Sequence, residues 1–239
     1  MKSHDLRDRF MVSFAEVYST LLDCLLPERC PSCAGPTHHG YCDGCRSEFV
    51  RVADPCPRCA LPRPVTRCPR EASEWLVDRV VAPLCYTYPA TSQVHALKFS
   101  GKRYLGRALG LLLAQRLADE REARVDAVVA VPLHRRRLRE RGFNQALEIA
   151  HPLASALDLP LTTNAVHKRV ATRPQVELDA DARLVSVKAA FSVSKRFDGL
   201  SVAIVDDVLT TGATVNSLAA ALRQAGAERV EAWTVARVL

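Results

Sequence analysis

Two adjacent carboxylates followed by a threonine-rich turn form the most informative pattern in this 239-residue sequence. An apolar run over residues 202–205 leads into Asp206 and Asp207, and a helical pattern begins directly after the turn. The turn consists of Thr210, Thr211, Gly212, Ala213 and Thr214. Its threonines offer hydroxyl donors, its glycine permits backbone angles that other residues resist, and the helix points its positive end at the turn. These groups converge on one point and predict a phosphate site.

The acid pair indicates what accompanies the phosphate. Successive strand side chains face opposite ways, so both carboxylates reach one ligand only if the strand ends at them and the chain turns. Carboxylates accept hydrogen bonds and repel phosphate, so their natural partners are sugar hydroxyls or a bound Mg²⁺ ion. The combination describes a ribose 5-phosphate. The alternative is a buried strand that leads through an ordinary aspartate-rich turn into a helix. The glycine motifs of Walker and Rossmann nucleotide sites are absent from the sequence, so those two kinds of site have no support.

A basic segment directly follows the strand-like run 125–131. It begins with Pro132, Leu133, His134, Arg135 and Arg136 and continues with Arg137, Arg139 and Arg141. Three interpretations fit these arginines: a solvated helix face, a pyrophosphate site, or contact with nucleic-acid phosphates. Loops that leave the carboxyl ends of parallel strands line one crevice, so residues 132–136 and 206–214 should face each other.

Seven of the nine cysteines fall between residues 30 and 68 in metal-ligand spacing. The first set is Cys30, Cys33, Cys42 and Cys45, two C-x-x-C pairs that place four thiolates for a structural Zn²⁺. The second set is Cys56, Cys59 and Cys68, with Glu71 at the expected fourth position. Glu71 could ligate through oxygen, water or a neighbouring residue could replace it, or this second site could have lost its metal.

Composition limits the class of protein. The formal net charge is +7, and nearly half of the residues are apolar, which is enough for one substantial core and a small accessory module. No apolar run reaches the ~20 residues that span a bilayer, and acidic and basic residues interrupt the N-terminal stretch. We therefore expect a cytoplasmic protein without membrane insertion.

Hydrophobic periodicity predicts alternating strands and helices, which is typical of an α/β fold with an open, mainly parallel sheet. Strands are predicted at 80–88, 125–131, 201–205 and 230–238, and helices at 91–99, 104–118, 143–157 and 213–225. Segment 161–194 has weak periodicity and is interpreted as a mobile flap or a plain surface loop. The predicted division is an N-terminal helix over 1–26, a zinc-ribbon module over 27–72 and a phosphate-binding domain over 78–239.

Residues 202–214 resemble the phosphoribosyl-pyrophosphate (PRPP) motif of type I phosphoribosyltransferases. In that family the acid pair holds the ribose 2- and 3-hydroxyls, the turn holds the 5-phosphate, and the earlier loop, here Pro132–Arg136, contacts pyrophosphate. Together with the cysteine pairs, three further motifs resemble the ComF family of competence proteins over residues 20–239. They are His95-Ala-Leu-Lys98-Phe-x-Gly101, Arg141-Gly-Phe-Asn-Gln145 and Arg169-x-x-x-x-x-Gln175.

This resemblance implies a zinc ribbon on a type I phosphoribosyltransferase-like domain that binds PRPP with Mg²⁺. It also implies a role in natural transformation, with single-stranded DNA and proteins of the competence machinery as partners. Alternatives are an active phosphoribosyltransferase with an unidentified acceptor, and a PRPP-sensing regulator or adaptor. For turnover, Asp206 and Asp207 would orient the sugar while Arg135 or Arg136, with Lys98 as a further candidate, takes up pyrophosphate charge. Glutamine-hydrolysing chemistry lacks a nucleophile beside the motif.

Overall fold

A parallel β-sheet forms the centre of the protein in a computed structural model that describes residues 28–65, 68, 75–119, 125–169 and 190–239. The strands of this sheet are β1 Arg79–Val81, β2 Leu84–Cys85, β3 Ala127–Ala130, β4 Leu161–Thr162, β7 Ser201–Leu209 and β8 Arg229–Arg237. They lie in the order β1-β8-β7-β3-β4, with β2 also paired to β8, and every pairing in this sheet is parallel. A separate antiparallel pair joins β5 Val166–Lys168 and β6 Phe191–Val193.

The two long central strands are apolar over most of their length because both faces of a parallel sheet are covered. Residues 202–205 of β7 and 232–236 of β8 are buried, and Trp233 is among the largest side chains without exposed surface. Helices supply the cover. They are α1 Asp43–Ser47, α2 Ala90–Phe99, α3 Tyr104–Ala118, α4 Arg135–Arg141, α5 Gln145–Ala156 and α6 Ala213–Gln224.

Two glycines allow α3 and α5 to pack closely. A Cβ atom at Gly106 would lie 2.5 Å from the Cβ of Glu148, and one at Gly110 would collide with the carbonyl oxygen of Ile149. Any larger residue at these positions would force the helices apart. The α5 helix begins at Asn144, whose side-chain oxygen accepts a hydrogen bond from the backbone N–H of Ala146.

Most predicted elements are confirmed within about two residues, and the α/β fold with its mainly parallel sheet is confirmed. The predicted strand 80–88 was too long, because the chain breaks into β1 and β2, which both pair with β8. The weakly patterned segment 161–194 carries three short strands at its ends. Its residues 170–189, which include Gln175, and the predicted N-terminal helix lie outside the described residues.

The cysteine-rich segment packs against the same core as the sheet and its helices. Buried Cys30, Tyr41 and Phe49 join that core, and the Tyr41 hydroxyl donates a hydrogen bond to Gln93 of α2. On the other side of the segment, the backbone N–H of Val80 donates to the carbonyl of Pro57. The division into a zinc-ribbon module and a larger domain therefore stays a prediction.

In the described part of the chain, none of the helices combines the length and the hydrophobicity that a bilayer span requires.

Candidate functional site

The acid pair lies where β7 outruns its neighbour. Pairing between β3 and β7 ends at Ala130 and Val205, whereas β8 continues beside β7 as far as Leu209. The prediction that the strand ends at the acids was wrong, because β8 extends the ladder through them. On the β3 side, however, the sheet stops one residue before Asp206, so no described strand covers that side of the acid pair.

Asp207 is held by a buried ion pair. It is 3 % exposed, and its Oδ1 atom lies 2.9 Å from the Nζ atom of Lys98, in the last turn of α2. Its Oδ2 atom is also buried and has no hydrogen-bond partner among the described residues. A buried carboxylate oxygen without a donor is costly, so this atom would gain from a ligand hydroxyl or a cation.

Asp206 is partly exposed and electrostatically strained. Burial raises the pKa of Asp206 to about 7, and the charge of Asp207 adds to this effect. The backbone N–H of Asp207, which donates to Oδ1 of Asp206 at 2.9 Å, and the charges of Lys98 and Lys168 oppose the rise. Near neutral pH the carboxyl group is thus close to its point of half ionisation, and a ligand that donates hydrogen bonds to it favours the charged form.

Cationic side chains from three elements act electrostatically on the acids. Besides Lys98 of α2, they are Arg141 of α4 and Lys168 of β5. Burial lowers the pKa of Arg141 while the charge of Asp207 opposes the decrease. Burial, together with the charge of Arg137, also lowers the pKa of Lys168, and Asp206 opposes it. The acid pair and these cations form a mixed-charge site that can accept hydroxyls and bind phosphate oxygens.

Sequence reasoning missed Lys168 altogether. It lies on a three-residue strand inside the segment whose periodicity was weak, and nothing in its local pattern indicates the long-range approach to Asp206. The one sign in the sequence was that Lys168 directly precedes Arg169, which begins the Arg169-x-x-x-x-x-Gln175 motif.

The threonine turn has the predicted conformation. Gly212 adopts φ +82°, in the left-handed region, and α6 begins at the next residue. Thr210, Thr211, Ala213 and Thr214 are exposed. The Oγ1 atom of Thr211 accepts a 3.4 Å hydrogen bond from the backbone N–H of Ala213. Exposed hydroxyls and the N-terminal N–H groups of a twelve-residue helix are thereby presented to an anion.

The basic segment follows β3 directly, beside the acid pair. The backbone N–H of Val131 donates to the carbonyl of Val205, so Pro132 and Leu133 leave the sheet next to the point where β7 reaches Asp206. His134 caps α4 by accepting from the backbone N–H of Arg136. All of Arg135, Arg136, Arg137 and Arg139 are exposed, whereas Arg141 is partly buried. The two predicted loops therefore leave neighbouring strands at the same end of the sheet.

The first cysteine set fits a tetrahedral metal ion. The sulfur atoms of Cys30, Cys33, Cys42 and Cys45 all lie within 4.8 Å of one another, and those of Cys33 and Cys42 are 3.6 Å apart. A tetrahedral zinc ion with Zn–S bonds of about 2.3 Å requires a sulfur separation of about 3.8 Å. These four thiolates can hold a structural zinc ion.

The second cysteine set also converges. The sulfur atoms of Cys56, Cys59 and Cys68 lie within 4.8 Å of one another, which provides three of the four ligands of a structural site. Glu71 lies outside the described residues, so its predicted role as the fourth ligand stays a prediction.

Comparison with known proteins places this geometry in a class. A family model described as the phosphoribosyl transferase domain matches residues 144–238. The chain is 34% identical over 226 residues to the DNA utilization protein YhgH of Salmonella typhi, covering 90% of this chain and 99% of that protein. It is 32% identical over 224 residues to Competence protein F of Haemophilus influenzae, with 87% and 96% covered.

Among solved structures, the chain is similar to glutamine phosphoribosylpyrophosphate amidotransferase from B. subtilis, with a TM-score of 0.39 and 24% sequence identity. The match covers 54% of this chain and 26% of the amidotransferase chain. The fold is that of a type I phosphoribosyltransferase, with an N-terminal cysteine cluster consistent with a zinc ribbon. Within that class, the chain belongs to the ComF family, together with Competence protein F and YhgH.

Proposed function

We propose that this protein binds PRPP or a related phosphoribosyl ligand at the crevice formed by the acid pair, the threonine turn and the basic segment. The observation that carries the proposal is the end of β3 pairing at Val205, which leaves Asp206 and Asp207 without a strand partner on that side and just before the exposed threonines. A phosphate bound at the turn would place a sugar over these carboxylates.

Each part of the ligand has a chemically matched partner. The carboxylates accept hydrogen bonds from ribose hydroxyls, and the turn donates to the 5-phosphate through hydroxyls and backbone N–H groups. Lys98 pairs with Asp207, the charges of Arg141 and Lys168 act on the acids, and the Pro132–Arg136 loop brings further positive charge for a pyrophosphate group. Mg²⁺ usually binds one or two carboxylates together with substrate phosphates, so the acid pair fits that ion when PRPP is present.

Calorimetric titration with PRPP and Mg²⁺ tests the assignment. We expect binding by the wild-type protein and a loss of at least tenfold, about 1.4 kcal/mol, in an Asp206→Asn/Asp207→Asn variant. The control is Asp43→Asn, since the Asp43 side chain is 95% exposed in the cysteine-rich segment. Equal affinity in the wild type and the double variant would refute the site.

The names of the relatives support a role in DNA uptake or DNA use, and one feature of the structure favours direct contact with single-stranded DNA. Phe99, at the end of α2, is 66% exposed. The Arg141 guanidinium lies 5.3 Å from the centroid of this ring, and the His95 ring lies 4.7 Å from it. An exposed aromatic ring beside arginines offers a stacking surface for a base and charges for the backbone.

Salt dependence and two sets of variants test this candidate. If α4 contacts DNA phosphates, affinity for a single-stranded oligonucleotide should fall steeply between 50 and 200 mM salt. Phe99→Ala should weaken binding at every salt concentration without changing the slope, whereas Arg137→Ala/Arg139→Ala should reduce the slope. Binding that ignores salt, or no binding, would eliminate the DNA contact and leave the phosphoribosyl site untouched.

A further inference from the structure

A buried arginine connects the second cysteine set to the phosphate turn. Arg237 ends β8 and is 5% exposed. Its Nε atom donates to the carbonyl of Cys59 at 2.9 Å, and its Nη1 atom donates to the carbonyl of Leu209 at 3.0 Å. The same Nη1 atom contacts the carbonyl of Thr210, the first residue of the turn. One rigid guanidinium thus fixes a predicted metal ligand and the turn at the same time.

The guanidinium of Arg237 also places a positive charge beside the second cysteine set. Among the described residues no carboxylate forms an ion pair with Arg237, whereas its Nε atom contacts Cys59 directly. A buried cation without a compensating anion costs several kcal/mol. Three thiolates around one Zn²⁺ ion leave a net charge of about −1, so a filled site would compensate this guanidinium.

A second, independent contact leads from this part of the chain to the turn. Trp75 follows the cysteine set in sequence, and its indole ring covers Gly212 so closely that a Cβ atom there would lie 2.5 Å from Cη2. The next residue, Leu76, donates its backbone N–H to the Oδ1 atom of Asn216 at 2.6 Å. Two residues that follow the cysteine set in sequence therefore contact the middle of the turn and the first turn of α6.

The first cysteine set has different neighbours. In its segment, Tyr41 bonds to Gln93 of α2, and Arg46 donates to Gln115 of α3 at 3.0 Å. These contacts fasten the segment to the helices, whereas the Arg237 contacts fasten the second set to the turn. The two sets thus provide a matched pair for experiment, because each can lose its metal without directly removing the other.

We propose that metal bound by Cys56, Cys59 and Cys68 holds the phosphate turn in its binding geometry through Arg237, which acts as a positioning residue. The second cysteine set is then a regulatory element of the ligand site as well as a structural one. The expected effect of this metal on ligand affinity rests on the proposed phosphoribosyl site. Its effect on the turn itself does not depend on which ligand binds.

Hydrogen exchange measures the turn without any ligand. We expect amides of residues 209–216 to exchange at least tenfold faster in Cys68→Ser and in Arg237→Lys than in the wild type. Lysine keeps the positive charge, but its single nitrogen cannot bridge the carbonyls of Cys59, Leu209 and Thr210 as the planar guanidinium group does. Cys42→Ser, which should lose one metal equivalent from the first set, should leave this peptide unchanged. Unchanged exchange in folded Cys68→Ser, or equal acceleration in Cys42→Ser, would overturn the proposal.

Titration with ribose 5-phosphate then tests the effect on affinity. Loss of a charge-assisted hydrogen bond predicts a decrease of about tenfold or more for Cys68→Ser and for Arg237→Lys. The double variant should bind no more weakly than either single variant, because both changes break one connection. Additive losses would contradict the coupling. If the wild type itself does not bind, the proposed function fails, and the exchange experiment still decides whether the metal holds the turn.

Discussion

Replacing Asp206 by asparagine should stabilise the protein while removing one carboxylate of the proposed phosphoribosyl site. The pKa of Asp206 is raised to about 7 in the folded protein from an ordinary value near 4. The folded state therefore prefers the protonated carboxyl group, and the free energy of unfolding falls as pH rises from about 4 to 7. Asparagine has nearly the shape of the protonated form and keeps an oxygen to accept from the Asp207 N–H.

The expected magnitude follows from that difference in pKa. A shift of about three units corresponds to an upper value of about 4 kcal/mol, reached above pH 7, with almost no difference from wild type at pH 4. Urea unfolding of both proteins at several pH values measures it, with Asp43→Asn as the exposed control. A stability difference that does not grow with pH, or a variant that is destabilised at pH 8, would refute the assignment of strain to Asp206.

Two further predictions concern the surroundings of the acid pair. Lys98→Met should destabilise the protein by about 3–5 kcal/mol, because Asp207 would be left buried without its cation, whereas exposed Lys102→Met should change little in the same urea experiment. Gly212→Ala combines a positive φ with a collision against Trp75, so it should lower stability by about 1–2 kcal/mol and weaken ribose 5-phosphate binding. Gly44→Ala, which meets no atom within 4 Å, should do neither.

The sequence predicted the elements that carry a strong local signal. The apolar runs of β7 and β8 and the glycine in the turn determine local structure by burial and backbone freedom, and both were predicted. The continuation of β7 to Leu209 was not, because it depends on β8 and on the Arg237 side chain. Charged residues such as Asp206 usually indicate the end of a buried strand, and only the tertiary structure shows that this strand continues.

For the candidate site, the sequence brings together the contiguous residues but does not indicate the distant ones. Asp206, Asp207 and the threonine turn share one short stretch, so spacing alone brings them together. The approaches of Lys168 to Asp206 and of Trp75 to Gly212 join segments far apart in sequence. No periodic pattern encodes such contacts, and one chain without its relatives offers no other sign of them.

The close packing of α3 on α5 has a consequence at the far end of α5. Asn144, which starts that helix, also donates from Nδ2 to the carbonyl of Val131, where the basic segment leaves the sheet. The close approach of α5 to Gly106 and Gly110 therefore also helps to place Val131, from which the basic segment starts. A larger residue at either glycine would push Asn144 away from Val131 and so shift the start of the basic segment.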